Sequence, residues 1–85
     1  MTGRMRIEFQ PAEGAVVRLI GLIERRGFQV RGLGMAQEDD DRASLVVELD
    51  ARDPTRSLQT LDLQLRRIQG VRNISIFTPA AGAVA

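Results

Sequence analysis

Apolar residues follow two periods along this chain, and the alternation between them marks out six elements. Met5, Ile7 and Phe9 alternate with Arg4, Arg6 and Glu8, the period of a strand with one buried and one wet face. Pro11 ends that strand's hydrogen-bond ladder. Val16, Leu19 or Ile20, and Ile23 then recur at helical spacing, which predicts a helix over residues 15–26. Gly14 stands at its entry, where first-turn amides point outward unpaired. Arg25 and Arg26 suit the negative end of the helix dipole, and Gly27 suits a left-handed stop. Phe28 and Val30 open a second strand over residues 28–37.

Two glycines interrupt that second strand. Gly32 and Gly34 predict a bulge or a close approach of another backbone or ligand. Leu33 and Met35 have the opposite parity to Phe28 and Val30, so both faces of the strand are expected to carry apolar groups. One reading is irregular packing. The other is an edge strand used for dimerisation, with Gly32, Leu33, Gly34 and Met35 at the interface. Residues 38–42, EDDDR, form a polar turn; they lack the ligand spacing and central glycine of a calcium loop. Leu45, Val47 and Leu49 alternate as a third strand, closing a hairpin.

Asp53-Pro54 predicts the start of a second helix, an acceptor cap followed by proline in the first turn. Leu58, Leu61, Leu65 and Ile68 continue at steps of three and four, and Gly70 ends the run. Residues 71–77 form a fourth strand with Ile74 and Ile76 on one face, stopped by Pro79. Residues 1–3 are expected to fray, a single domain to occupy 4–78, and residues 79–85 to form a disordered tail.

The order β-α-β-β-α-β is that of an α+β, ferredoxin-like plait. Right-handed crossovers leave room between the first and second strands for the third. The expected sheet is antiparallel in order 4-1-3-2, with both helices on one face and the second and fourth strands at its edges.

Composition narrows the chemistry. The 85 residues contain no cysteine and no histidine, which removes disulfides, thiolate metal sites, cysteine nucleophiles and the usual acid–base group near neutral pH. Tyrosine and tryptophan are absent, and the first strand offers only Phe9 for base stacking, against RNA recognition by this plait. The formal net charge of +1, with arginines scattered along the chain, argues against an electrostatic nucleic-acid binder. No apolar run is long enough to span a bilayer and no leader pattern is present, so a cytoplasmic protein is expected. Neither a catalytic residue set nor a metal or cofactor site is apparent, and a binding or interaction module remains. Its most site-like stretch is residues 10–16, where amides at Gly14, Ala15 and Val16 could hold a carboxylate; an ordinary tight turn is the alternative.

Residues 14–30, GAVVRLIGLIERRGFQV, resemble the start of the regulatory, or small, subunits of acetolactate synthase, also called acetohydroxyacid synthase. That family shows glycine, a hydrophobe and arginine, then Gly-Leu, then Arg-Gly-aromatic-Asn-Ile. Leu33 falls where the family carries a leucine, and residues 65–71 resemble its "QL-K-L-DV" ending. Phe9-Gln10-Pro11 and Gly34-Met35-Ala36 look like the short, single-domain isozyme II type.

The resemblance implies an ACT domain. It implies a subunit that does no chemistry and carries no cofactor, but binds and activates a large subunit that itself uses thiamine diphosphate and magnesium in branched-chain amino acid biosynthesis. It implies a homodimer paired through edge strands. A branched-chain amino acid effector would bind where the first loop meets the partner's second strand, with Gly14, Ala15 and Leu33 as the matching positions. Valine-regulated members carry an asparagine three positions before the glycine; here that position is Pro11, which has neither a side-chain amide nor a backbone donor. A vestigial effector site is therefore expected. The other reading is a free-standing ACT protein that binds an amino acid and acts on another target.

Overall fold

A computed structural model describes residues 2–77. The elements run β1 (Thr2–Phe9), α1 (Ala15–Arg25), β2 (Phe28–Asp39), β3 (Arg42–Ala51), α2 (Leu58–Leu65) and β4 (Val71–Phe77). They build the expected ferredoxin-like plait. One four-stranded sheet has the order β2-β3-β1-β4, and every pairing is antiparallel. The tail expected at residues 79–85 lies outside the described residues.

The core lies between the sheet and the two helices. β1 and β3 supply Met5, Ile7, Phe9, Leu45, Val47 and Leu49, all almost fully buried. Onto them α1 lays Leu19 and Ile23, and α2 lays Leu58, Leu61 and Leu65. The opposite sheet face is mostly polar on its central strands, with Val46 the apolar residue among Arg4, Arg6, Glu8, Ser44, Glu48 and Asp50. Arg4 there pairs with Glu48 at 2.8 Å, and Arg31 with Asp50 at 2.9 Å. Such exposed pairs contribute little to stability, and they keep that face hydrated.

β1 begins two residues before the expected domain start. Thr2 and Gly3 pair with Asp50 and Leu49, so they extend the ladder where fraying was expected. Gly3 lies directly beneath α2, and a Cβ there would overlap the Leu58 side chain.

α2 starts later than Asp53-Pro54 predicts. Asp53 accepts the Thr55 amide at 2.9 Å and also the Thr55 hydroxyl, forming a local turn ahead of the helix. Those two hydrogen bonds, hydroxyl first, hold the Asp53 carboxyl below the usual carboxylate range. The helix cap is Ser57, extended at φ −125° and ψ 144°, whose hydroxyl accepts the Thr60 amide at 3.1 Å. A start at Leu58 places Leu58, Leu61 and Leu65 on one buried stripe. Ile68 lies beyond the helix end and is only partly buried.

β2 is longer than expected, reaching Asp39, and its face pattern differs. Strict alternation places Leu33 and Met35 opposite Phe28 and Val30. The register instead shifts between Val30 and Gly32, so one extra residue resets the parity. Leu33 then opposes Val47, and Met35 opposes Leu45. Directly opposed residues share a face, so both belong to the helix side together with Phe28 and Val30. The other side of β2 carries Gly32, Gly34 and Ala36. The bulge that the glycines predict is present; the apolar second face is not.

Candidate functional site

The loop between β1 and α1 is built by three backbone constraints. The Gln10 amide donates to the Gly70 carbonyl at 2.8 Å, tying the loop to the turn that precedes β4. Pro11 follows with no amide to donate. Gly14 then caps α1 at φ 80° and ψ 0°, a left-handed conformation costly for any residue with a Cβ.

Of the three amides expected to face a ligand, that of Ala15 is taken: it donates to the Ala12 carbonyl at 3.0 Å. The Ala15 side chain is buried in the core. No hydrogen bond from the Gly14 or Val16 amide occurs among the described residues. Arg18 joins the site from one helical turn further on. Its Nη1 donates to the Glu13 carbonyl at 3.5 Å and lies 3.1 Å from where a Cβ on Gly14 would sit. The loop thus combines two unpaired amides, the positive end of the α1 dipole and a guanidinium, an arrangement suited to a carboxylate. From the sequence, Arg18 with Arg25 and Arg26 is a candidate partner-contact surface or an exposed arginine face, and neither reading places it at this loop. The legible signal was its spacing, four residues after Gly14, which places both on one side of the first turn.

Leu33 lies elsewhere. It belongs to the edge strand β2, which is separated from β1 by β3. Leu33 and Met35 are 56% and 50% exposed, and a Cβ on Gly34 would meet nothing within 4 Å. The residues expected at the dimer interface therefore form an accessible edge. Within one chain the Gly14 loop and Leu33 stand on different elements.

Gly14→Val is expected to destabilise the chain by about 2 kcal/mol, because it forces a branched residue into the left-handed region. It also crowds Arg18. Amide spectra should change at residues 10–18 and leave the β3 resonances in place. A melting temperature and loop spectrum identical to those of the parent chain would remove any special role for Gly14.

Clefts among the described residues include one at each end of the sheet. One, of about 380 Å³, is lined by Glu8, Phe9, Glu38, Arg42, Ala43, Ser44 and Arg72. The other, of about 140 Å³, lies at the opposite end of the sheet and includes Arg26, Phe28, Arg56 and Gln64. No group of acidic residues able to hold a metal ion occurs among the described residues. No helix among them is long and apolar enough to cross a membrane.

Among solved structures, the ACT domain from GTP pyrophosphokinase of Chlorobium tepidum superposes with a TM-score of 0.75 at 19% identity, covering 91% of this chain and 97% of that one. Formyltetrahydrofolate deformylase from Burkholderia mallei ATCC 23344 matches with a TM-score of 0.71 at 20% identity, over 95% of this chain and 29% of that chain. The C-terminal domain of the MgtC protein from Mycobacterium tuberculosis matches at 0.68 and 20% identity, over 91% and 85%. At these identities the likeness establishes the fold. No curated protein matches significantly. A family model described as the ACT domain matches residues 11–74. That span runs from Pro11 in the first loop to Ile74 in β4, so by both its sequence and its plait this chain belongs to the ACT domain family.

Proposed function

We propose that this ACT domain, a regulatory and non-catalytic module, is the small subunit of acetolactate synthase. In this reading it acts in the cytoplasm by binding the thiamine-diphosphate-dependent large subunit and favouring its active arrangement. The observation that carries the reading is the run at residues 14–30, with its glycine entry, Gly21-Leu22 and Arg26-Gly27-Phe28. Gly14 and Gly27 both have positive φ, at 80° and 93°, so the two glycines shared with that family sit where a side chain is disfavoured. Activation would be a population shift: a partner that binds the active large subunit more tightly than the inactive one raises its share. Pairing of two copies through β2 would bring Leu33 of one towards the Gly14 loop of the other.

Pro11 weakens the case for valine feedback, since it supplies neither a side-chain amide nor a backbone donor. A second reading is favoured by Arg18, which stands over the loop and supplies a charge for a carboxylate. In it the chain is a free-standing amino-acid-binding ACT protein that acts on another target.

Acetolactate formation by the organism's own catalytic subunit, with and without this chain and with valine titrated in, separates the readings. Stimulation that valine does not reverse is the expected result. Stimulation that valine reverses would mean that the loop binds through its amides and Arg18 despite Pro11. No stimulation of a competent catalytic subunit would overturn the subunit role and leave the free-standing reading.

A further inference from the structure

The two faces of the plait treat their charges differently. On the open sheet face each arginine has a carboxylate beside it: Arg4 with Glu48 at 2.8 Å, Arg6 with Glu8 at 3.6 Å and Arg31 with Asp50 at 2.9 Å. On the helix side Arg25, Arg26 and Arg67 form no ion pair among the described residues. The carboxylates of the two helices do not offset them. Asp62 is held by Arg66 at 2.6 Å, which leaves Glu24. Positive charge is thus left uncompensated on the helix surface.

The same surface carries Val17, 75% exposed on α1, and Leu63, 65% exposed on α2, the two most exposed large hydrophobic residues of the described chain. Each lies away from its helix's buried stripe, Ala15, Leu19 and Ile23 on α1 and Leu58, Leu61 and Leu65 on α2. The arginines run alongside them. Val17, Gly21 and Arg25 follow at steps of four, so they line one side of α1. Arg25 lies back along that line, its Nη1 3.4 Å from where a Cβ on Gly21 would sit. Arg26 joins the helices, donating from Nη2 to the Gln64 Oε1 at 3.2 Å. Gln64 follows Leu63, and its carbonyl accepts the Arg67 amide at 3.2 Å.

We propose that the outer surface of α1 and α2 is a protein-docking face, and that its partner presents an apolar patch bordered by carboxylates. Val17 and Leu63 supply the apolar contact. Arg25, Arg26 and Arg67 stand around it as donors without an acid of their own, and a guanidinium fork fits a carboxylate. Apolar contact together with arginine is the usual composition of a protein interface. Charge selects the partner: a basic surface would meet uncompensated guanidiniums, while an acidic one completes their pairing. The open sheet face lacks this selectivity because its arginines are already matched. The assignment rests on the small-subunit reading, in which the partner is the catalytic subunit. It gives that subunit a contact surface distinct from the Gly14 loop and from the β2 edge.

The test measures binding of the full chain to the organism's own catalytic subunit by calorimetry, with sedimentation of each variant alone. Leu63→Asp should weaken binding roughly a hundredfold, since it sets a carboxylate against carboxylates in a desolvated contact. The double variant Arg25→Gln, Arg67→Gln should weaken it about tenfold, and it serves as the second probe if Leu63→Asp does not fold. Arg6→Gln, on the open sheet face, should bind as the parent does. Parent-like affinity in both helix variants would overturn the proposal and leave the subunit role standing. A parent chain that does not bind a competent catalytic subunit would overturn the subunit role, and the docking face with it. Leu63→Asp that splits an association of the chain with itself, and leaves catalytic-subunit binding intact, would assign the face to a second copy instead.

Discussion

Ile7→Ala is expected to lower the unfolding free energy by about 4 kcal/mol, near the upper part of the range for large-to-small core substitutions. Ile7 is fully buried on the central strand β1, with Leu45 opposite on one side and Ile74 on the other. Both neighbours belong to hydrogen-bonded ladders, so the sheet cannot close readily around the missing atoms, and a cavity remains. For a domain of 85 residues the total stability is of order 4–13 kcal/mol, so this one change removes a large share of it. The melting temperature should fall by roughly 20 °C. Val17→Ala is the matched control: Val17 is 75% exposed on α1, and its truncation should stay within about 0.5 kcal/mol. Urea unfolding of both variants decides the matter. A loss below about 1.5 kcal/mol at Ile7 would show that the core collapses around the site.

Leu33→Asp should separate association from folding. Leu33 is more than half exposed in the single chain, so an aspartate there should change monomer stability by less than about 1 kcal/mol. In a dimer paired through β2, the same carboxylate would be carried into the interface. The burial of an unpaired charge there should cost about 3 kcal/mol, or roughly a hundredfold in the dissociation constant. Sedimentation over a range of concentrations reads this directly. A shift from dimer to monomer with an unchanged melting curve is the expected result. An unchanged sedimentation profile would rule out β2 as the pairing edge, and a parent chain that is monomeric throughout would rule out the homodimer itself.

The order of elements was legible because each boundary has a local chemical cause. Pro11 cannot donate to a ladder, Gly27 adopts a positive φ after α1, and the apolar period changes from two to near four between Phe9 and Leu19. The start of α2 was less legible because two local caps compete within five residues. Asp53 is an acceptor followed by proline, but its carboxylate bonds Thr55 two residues on, and Ser57 caps the helix. Local preference cannot rank these two; the burial of Leu58, Leu61 and Leu65 on one stripe does. In the candidate site, Gly14 was legible from its position before an amphipathic run. Arg18 was legible as a candidate surface arginine but not as part of the loop, because exposed arginines are common and its spacing from Gly14 does not by itself show that it folds back.

By itself the sequence determined the six elements, their order, and with the handedness of crossovers the antiparallel sheet with β2 and β4 at its edges. Those follow from periodicity and from steric rules that act over a few residues. Only the tertiary structure decided which atoms meet across long separations in the chain. It placed Gly3 beneath Leu58, where the absence of a Cβ lets α2 settle onto the sheet. It put the bulge before Gly32, which turns Leu33 and Met35 to the helix side, because a shift of one residue in register reverses every later side chain. It gathered Glu8, Glu38, Arg42 and Arg72 around Ser44 from all four strands. Such juxtapositions depend on the sum of many packing contacts, and no local pattern carries them.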